Sequence, residues 1–172
     1  MESPLIAGRV PVRGLLRKLS LERPVFHSEA DFQHSFARAL WEVDPTIQTR
    51  LEARQGDARE YLDLLAIGPT KQTAIEFKYW TQRWGGTAGE PPEEYLLKNH
   101  AATDLARRNF VFDIARLERF ANRPEMSGLA VVVTNDASLW SPPRSQRPTR
   151  DVAFRIHEGR ILKGTLLWGG GD

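Results

Sequence analysis

A chain of 172 residues with 27% charged and 41% hydrophobic side chains has the composition of an ordinary globular protein, and its length suits one domain with a substantial core. It contains no cysteine, which excludes a disulfide framework, a thiolate metal site and a cysteine nucleophile. The formal net charge of +2 is too small to point to nucleic acid by itself, so local clusters decide.

Residues 1–25 form a basic opening segment in which Arg9, Arg13, Arg17, Lys18 and Arg23 interrupt any apolar stretch of leader length. No run approaches the roughly 20 apolar residues of a membrane span. A cytoplasmic location without a membrane partner is therefore expected. Within "GRVPVRGLLRKLSLERP", Leu15, Leu16 and Leu19 are spaced for a helix. Two readings stay open: a nucleic-acid-binding arm, or a short helix that packs its leucines and solvates its basic face.

"HSEADFQHSFARALWE" opens the first strong helix, with Ser28 as N-cap and acids in the first turn. Phe32, Phe36, Ala39, Leu40 and Val43 make one apolar stripe, and Glu29 projects within its arc. Three strand-like runs follow: "IQTRLEA" (47–53), "EYLDLLAI" (60–67) and "TAIEFKYW" (73–80). Gly68-Pro69 makes the last two an antiparallel hairpin. A polar connection leads to a helical pattern over 95–122, with Ala106, Phe110, Ile114, Leu117 and Ala121 on one face. "GLAVVVTN" (128–135) is an unbroken apolar strand of the kind buried on both faces, suited to a parallel inner position. A Pro- and Arg-rich loop precedes a final hairpin, "VAFRIHEG" turning into "RILKGTLLW". The expectation is an α/β sandwich forming a single domain over 1–172: a core at 28–135, the basic segment 1–25, and a loop with a C-terminal β-hairpin over 136–172.

Glu76 and Lys78 leave the same face of "TAIEFKYW", because strand side chains alternate with period two. A hairpin turning around 68–72 brings Asp63 near the level of Glu76, with neighbouring strands only about 4.8 Å apart. Two carboxylates so close repel unless a cation or a proton lies between them. A hard divalent ion prefers such oxygen ligands, and Lys78 would then orient or deprotonate a water, or stabilise charge growing on a phosphate. A surface ion pair of Glu76 with Lys78, and pairing of Asp63 with Arg54 or Arg59, are the structural alternatives.

Glu29 on a first helix, then Asp63, twelve intervening residues, and "EFK" at 76–78 resemble the PD-(D/E)XK nuclease superfamily. Leu62 stands where the family's name has Pro, and Lys98, Asn99 and His100 lie near where a second-helix Gln is sought. The resemblance implies a restriction-endonuclease-like α/β sandwich: a mixed central sheet with an antiparallel meander and flanking helices, here followed by the extra C-terminal β-hairpin. It implies Mg²⁺, with Mn²⁺ as a substitute, held by Asp63, Glu76, Glu29 and the Phe77 carbonyl. Lys78 would assist the water, so Asp63, Glu76, Lys78 and Glu29 form the catalytic set.

Arg83 and Trp84, with Trp80, open the loop beyond this strand, and either contact nucleic acid or tuck beneath the loop. Lys98, Arg144 and Arg147 are further nucleic-acid candidates. Asp113 and Arg116, three residues apart, read as a structural ion pair on the second helix. The four histidines show no zinc-ligand spacing. The expected function is a metal-dependent phosphodiester hydrolase acting on nucleic acid, DNA ahead of RNA. Its partners would be DNA and either a second copy, as a homodimer, or a protein supplying recognition. The alternative is a non-catalytic nucleic-acid- or protein-binding module on the same fold.

Overall fold

The computed structural model of the protein describes residues 3–55, 60–143 and 149–169. A two-residue pair of strands, β1 (Leu5–Ile6) and β2 (Val10–Pro11), leads into helix α1 (Val12–Glu22). Val12, Leu15 and Leu19 of α1 are buried, while Lys18 turns outward to Glu22 and Glu42. The opening segment thus packs its leucines, the second of the two readings. Helix α2 (Glu29–Val43) starts where Ser28 caps it, its hydroxyl accepting from the Asp31 amide at 3.2 Å. Phe32, Phe36, Ala39 and Leu40 are buried along one side.

Strands β3 (Gln48–Gln55), β4 (Glu60–Ile67) and β5 (Gln72–Trp80) form an antiparallel meander. Gly68 is required at the β4–β5 turn: an added Cβ would meet Ala7 Cβ and the Ala7 carbonyl at 3.0 Å. Helix α3 (Thr103–Phe120) then crosses over to β8 (Met126–Thr134), which pairs parallel with β5 along its whole length. The result is a mixed α/β fold with three helices and a four-stranded sheet in the order β3-β4-β5-β8. Helices α1 and α2 cover one face, where Phe77 meets the rings of Phe32 and Phe36 edge-on at 5.3 and 5.0 Å. Helix α3 covers the other, where Leu117 packs with Leu62 and Ala74.

Four features depart from the sequence expectation. The helical pattern at 95–122 starts only at Thr103; Glu93–Leu97 is instead strand β7, paired antiparallel with β6 (Trp84–Ala88) in a separate ribbon. Within β7, Tyr95 and Leu97 are buried and Leu96 is exposed, a period of two that pairing with β6 imposes over the helix-forming Glu and Leu residues. β8 is parallel as expected but lies at the edge of the sheet; its apolar run is used on both faces, with only Val131 buried. Residues 149–169 form no strand. The C-terminal hairpin is replaced by a short 3₁₀ turn at Val152–Phe154 and by aromatic packing onto α3: Phe154 against Trp168 at 5.5 Å, Phe154 against Phe112 at 6.4 Å, and the Arg108 guanidinium over Trp168. Arg144 and Arg147 lie outside the described residues.

Candidate functional site

β4 and β5 pair from Ile67↔Gln72 to Leu64↔Ile75 and then diverge, while β5 continues beside β8 to Trp80↔Thr134. Asp63 is the first β4 residue past the last pair, level with Glu76. Opposite it, Glu52 of β3 adopts a left-handed φ of 49° and drops out of the β3–β4 register. The edge of β5 left uncovered by this divergence is held by side chains. The Phe77 amide donates to Asp63 Oδ2 at 2.6 Å, and the Tyr79 amide donates to Glu29 Oε2 at 2.9 Å. Two carboxylates thus take the amides that a neighbouring strand would have taken.

On the face turned to α3, the residues of β5 and α3 meet in order. Trp80 packs edge-on against Phe110 at 5.8 Å, Lys78 Nζ pairs with Asp113 Oδ2 at 3.2 Å, and Arg116 pairs with Glu76 Oε2 at 2.5 Å. Arg116 also reaches Asp113 Oδ1 at 3.2 Å, and Lys78 Nζ donates to the Phe77 carbonyl at 3.0 Å. Glu76 is only 1% exposed, and its second oxygen, Oε1, has no hydrogen-bond partner among the described residues.

Burial first, and then the charge of Asp63, push the Glu76 carboxyl up to about 7, outweighing Arg116 and Lys78. Burial likewise raises Glu29, against the pull of Lys78 and the Tyr79 amide. Burial works against the Lys78 ammonium too, but Asp113, Asp63 and Glu29 prevail and hold it above the ordinary lysine value. Lys78 is therefore charged at neutral pH. Its chemistry is that of a fixed cation that orients and stabilises, and not that of a neutral base. Four carboxylates (Glu29, Asp63, Glu76, Asp113) face two cations (Lys78, Arg116), so full ionisation leaves two negative charges uncompensated among these residues.

That imbalance, the all-oxygen donor set and the unpartnered Glu76 Oε1 suit one hard divalent ion. Asp63, Glu76 and the Phe77 carbonyl are the residues that would hold it. No three Asp, Glu or His side chains stand together at ligand spacing among the described residues, and Arg116 and Lys78 already pair with part of the acidic set. No family model matches the chain, and no curated protein or solved structure matches it either.

The structure brings together Glu29, Asp63, Glu76, Phe77 and Lys78. Glu76 pairs with Arg116 and not with Lys78, and Arg54 does not pair with Asp63, since no Arg or Lys lies within 4.0 Å of it among the described residues; the other partner considered, Arg59, lies outside them. Asp113 and Arg116 do form the expected i, i+3 pair, but their second contacts, to Lys78 and Glu76, make them part of the site. Their spacing was visible; which strand the helix covers was not. The nucleic-acid candidates are more scattered. Arg83 is exposed before β6, and Lys98 is exposed after β7, its carbonyl accepting from Thr81. Trp84 lines an apolar cavity of about 200 Å³ with Phe26, Tyr79, Leu97 and Val133, at the carboxyl ends of β5 and β8.

Proposed function

We propose that the protein is a divalent-metal-dependent phosphodiester hydrolase acting on nucleic acid, DNA ahead of RNA. Asp63, Glu76 and the Phe77 carbonyl hold the ion, Glu29 supports them, and Lys78 attends the attacking water. The observation that carries this reading is Glu76: a carboxylate 1% exposed, with one oxygen unpartnered, beside Asp63 at the point where two strands part. A buried charge left so is costly unless something completes its coordination. The order α2, β3, β4, β5, α3, β8, with the β6–β7 ribbon inserted before α3, adds support, since helix, meander, helix, strand is the order that the resemblance to the PD-(D/E)XK superfamily implies.

When bound, Mg²⁺ or Mn²⁺ supplies Lewis-acid polarisation of a phosphoryl oxygen and acidifies water. The protein's own residues do the rest. Glu29 and Asp63 fix the edge of β5 through the Tyr79 and Phe77 amides, so the backbone that carries Glu76 and Lys78 cannot slide. The Lys78 ammonium stabilises negative charge as the water oxygen bonds to phosphorus and one P–O ester bond breaks, the water's proton passing through solvent to the departing oxygen, which leaves as a hydroxyl. Trp84 and Arg83, beyond the end of β5, offer stacking and phosphate contact for the flanking nucleotides.

The Arg116–Glu76 pair favours a second reading, in which Glu76 is permanently paired from within and the domain only binds its partner. Calorimetric titration with Mn²⁺ and Mg²⁺, wild type beside Glu76→Ala, with plasmid nicking on the same samples, separates the two. Metal binding and nicking that both vanish in the variant support the hydrolase. A wild type that binds no metal leaves the binding module standing.

A further inference from the structure

Arg116 makes more contacts than a structural ion pair needs and leaves a donor unused. One guanidinium nitrogen serves both Glu76 Oε2, at 2.5 Å, and Asp113 Oδ1, at 3.2 Å. Its Nε is buried without a hydrogen-bond partner among the described residues. The side chain is 27% exposed, so part of it reaches solvent beside the buried Glu76. A guanidinium is a planar fork of five donors matched to the paired oxygens of a phosphate. Here that fork is engaged at one corner only.

We propose that Arg116 is the phosphate-positioning residue of this site, and that in the metal-free protein it stands in for the divalent ion at Glu76. The proposal rests on the hydrolase reading above and adds to it a coupling between metal loading and phosphate capture. A divalent ion taken up at the free Glu76 Oε1 competes with the guanidinium on Oε2 for the charge of one carboxylate, and an ion of two charges against hard oxygens is the stronger partner. Arg116 released from Glu76 stays tethered by Asp113, which also holds Lys78 on its other oxygen. Asp113 thereby anchors both cations of the site, one on each oxygen, so a phosphate would meet them together. Because each ligand changes the affinity of the other by the same factor, the coupling can be measured from either side.

The test uses the full chain in a Lys78→Met background, so that turnover does not consume the oligonucleotide. Mn²⁺ affinity is measured by calorimetry without DNA, and affinity for a labelled duplex is measured by anisotropy with and without Mn²⁺. Arg116→Ala is expected to bind Mn²⁺ about tenfold more tightly than its parent, because the competing guanidinium is gone. The parent's duplex affinity is expected to rise about tenfold with Mn²⁺, and that of Arg116→Ala to stay level. Arg116→Lys keeps the charge but loses the fork, so it is expected to restore the weaker metal binding without restoring the metal-linked gain in DNA affinity. It also supplies the answer should the alanine variant fail to fold. Unchanged or weaker Mn²⁺ binding in Arg116→Ala, or a metal-linked gain that survives the substitution, overturns the proposal while leaving the hydrolase reading intact. A parent protein that binds no Mn²⁺ removes both.

Discussion

Burying Glu76 beside Asp63 has a sign that a melting curve can read. The folded state pushes this carboxyl from its ordinary 4.5 up to about 7, so the native protein binds the proton more tightly than the unfolded chain does. The stability Glu76 contributes is complete below about pH 4.5 and is lost as the pH rises through about 7. Between pH 5 and pH 8 in a chelating buffer, the wild type should lose several degrees of melting temperature, and Glu76→Gln, which has no proton to lose, should lose less. At pH 8 added Mn²⁺ should recover the difference in the wild type and not in the variant. Equal slopes for the two proteins would mean that Glu76 is already fully compensated by Arg116. Of the site's residues, Glu29, Asp63, Glu76 and Lys78 were legible because each follows from a local rule: a helix arc, a hairpin level, a strand alternation. The roles of the Phe77 and Tyr79 amides were not. They depend on β4 leaving β5 after Leu64, and no spacing in the sequence announces where two strands part.

Helix α3 is the element that converts the strand's charges into a site. Phe110, Asp113, Arg116 and Leu117 recur at helical spacing and land over Trp80, Lys78, Glu76 and Ala74 in turn. Leu117, 3% exposed, is the apolar contact nearest to Arg116 along the helix and seats it against Leu62 and Ala74. Leu117→Ala should destabilise the protein by about 2–5 kcal/mol in denaturant melts. At temperatures where the variant stays folded, metal-dependent nicking should fall beyond the folded fraction, because the Arg116–Glu76 and Lys78–Asp113 pairs lose their footing. Nicking that tracks the folded fraction alone would show that those pairs do not depend on how α3 is seated. The helix's apolar stripe was legible, but its start was not: Glu93, Glu94, Leu96 and Leu97 suit a helix until β6 offers them a partner. The C-terminal hairpin failed for a related reason. Its alternating pattern is real, but Phe154 packs on Phe112 of α3 and Trp168 packs on Phe154 and beneath the Arg108 guanidinium, instead of on a strand edge.

For the whole molecule, the governing fact is one constellation of acids among the described residues. Of these, only the face of β5 under α3 carries this acid and base set, and no helix among them is long and apolar enough to cross a membrane. Under the hydrolase proposal, a single site of this kind breaks one phosphodiester at a time, so a duplex is severed only when two sites act at nearby positions on opposite strands. The mixed sheet and helix order needed to hold that one site were readable from the sequence as α2, meander, α3 and β8; how many chains assemble on a duplex is not encoded in those elements. Supercoiled plasmid should therefore pass first to the nicked circle at a rate proportional to protein concentration. Linear product should follow later with a steeper dependence on concentration, approaching second order if two chains must meet. Dilution would then suppress linear product more than nicked product at equal extents of reaction. Linear plasmid formed directly, without nicked circles, at a concentration where sedimentation shows single chains would require a second cutting centre on this chain, and the one-site account would fail.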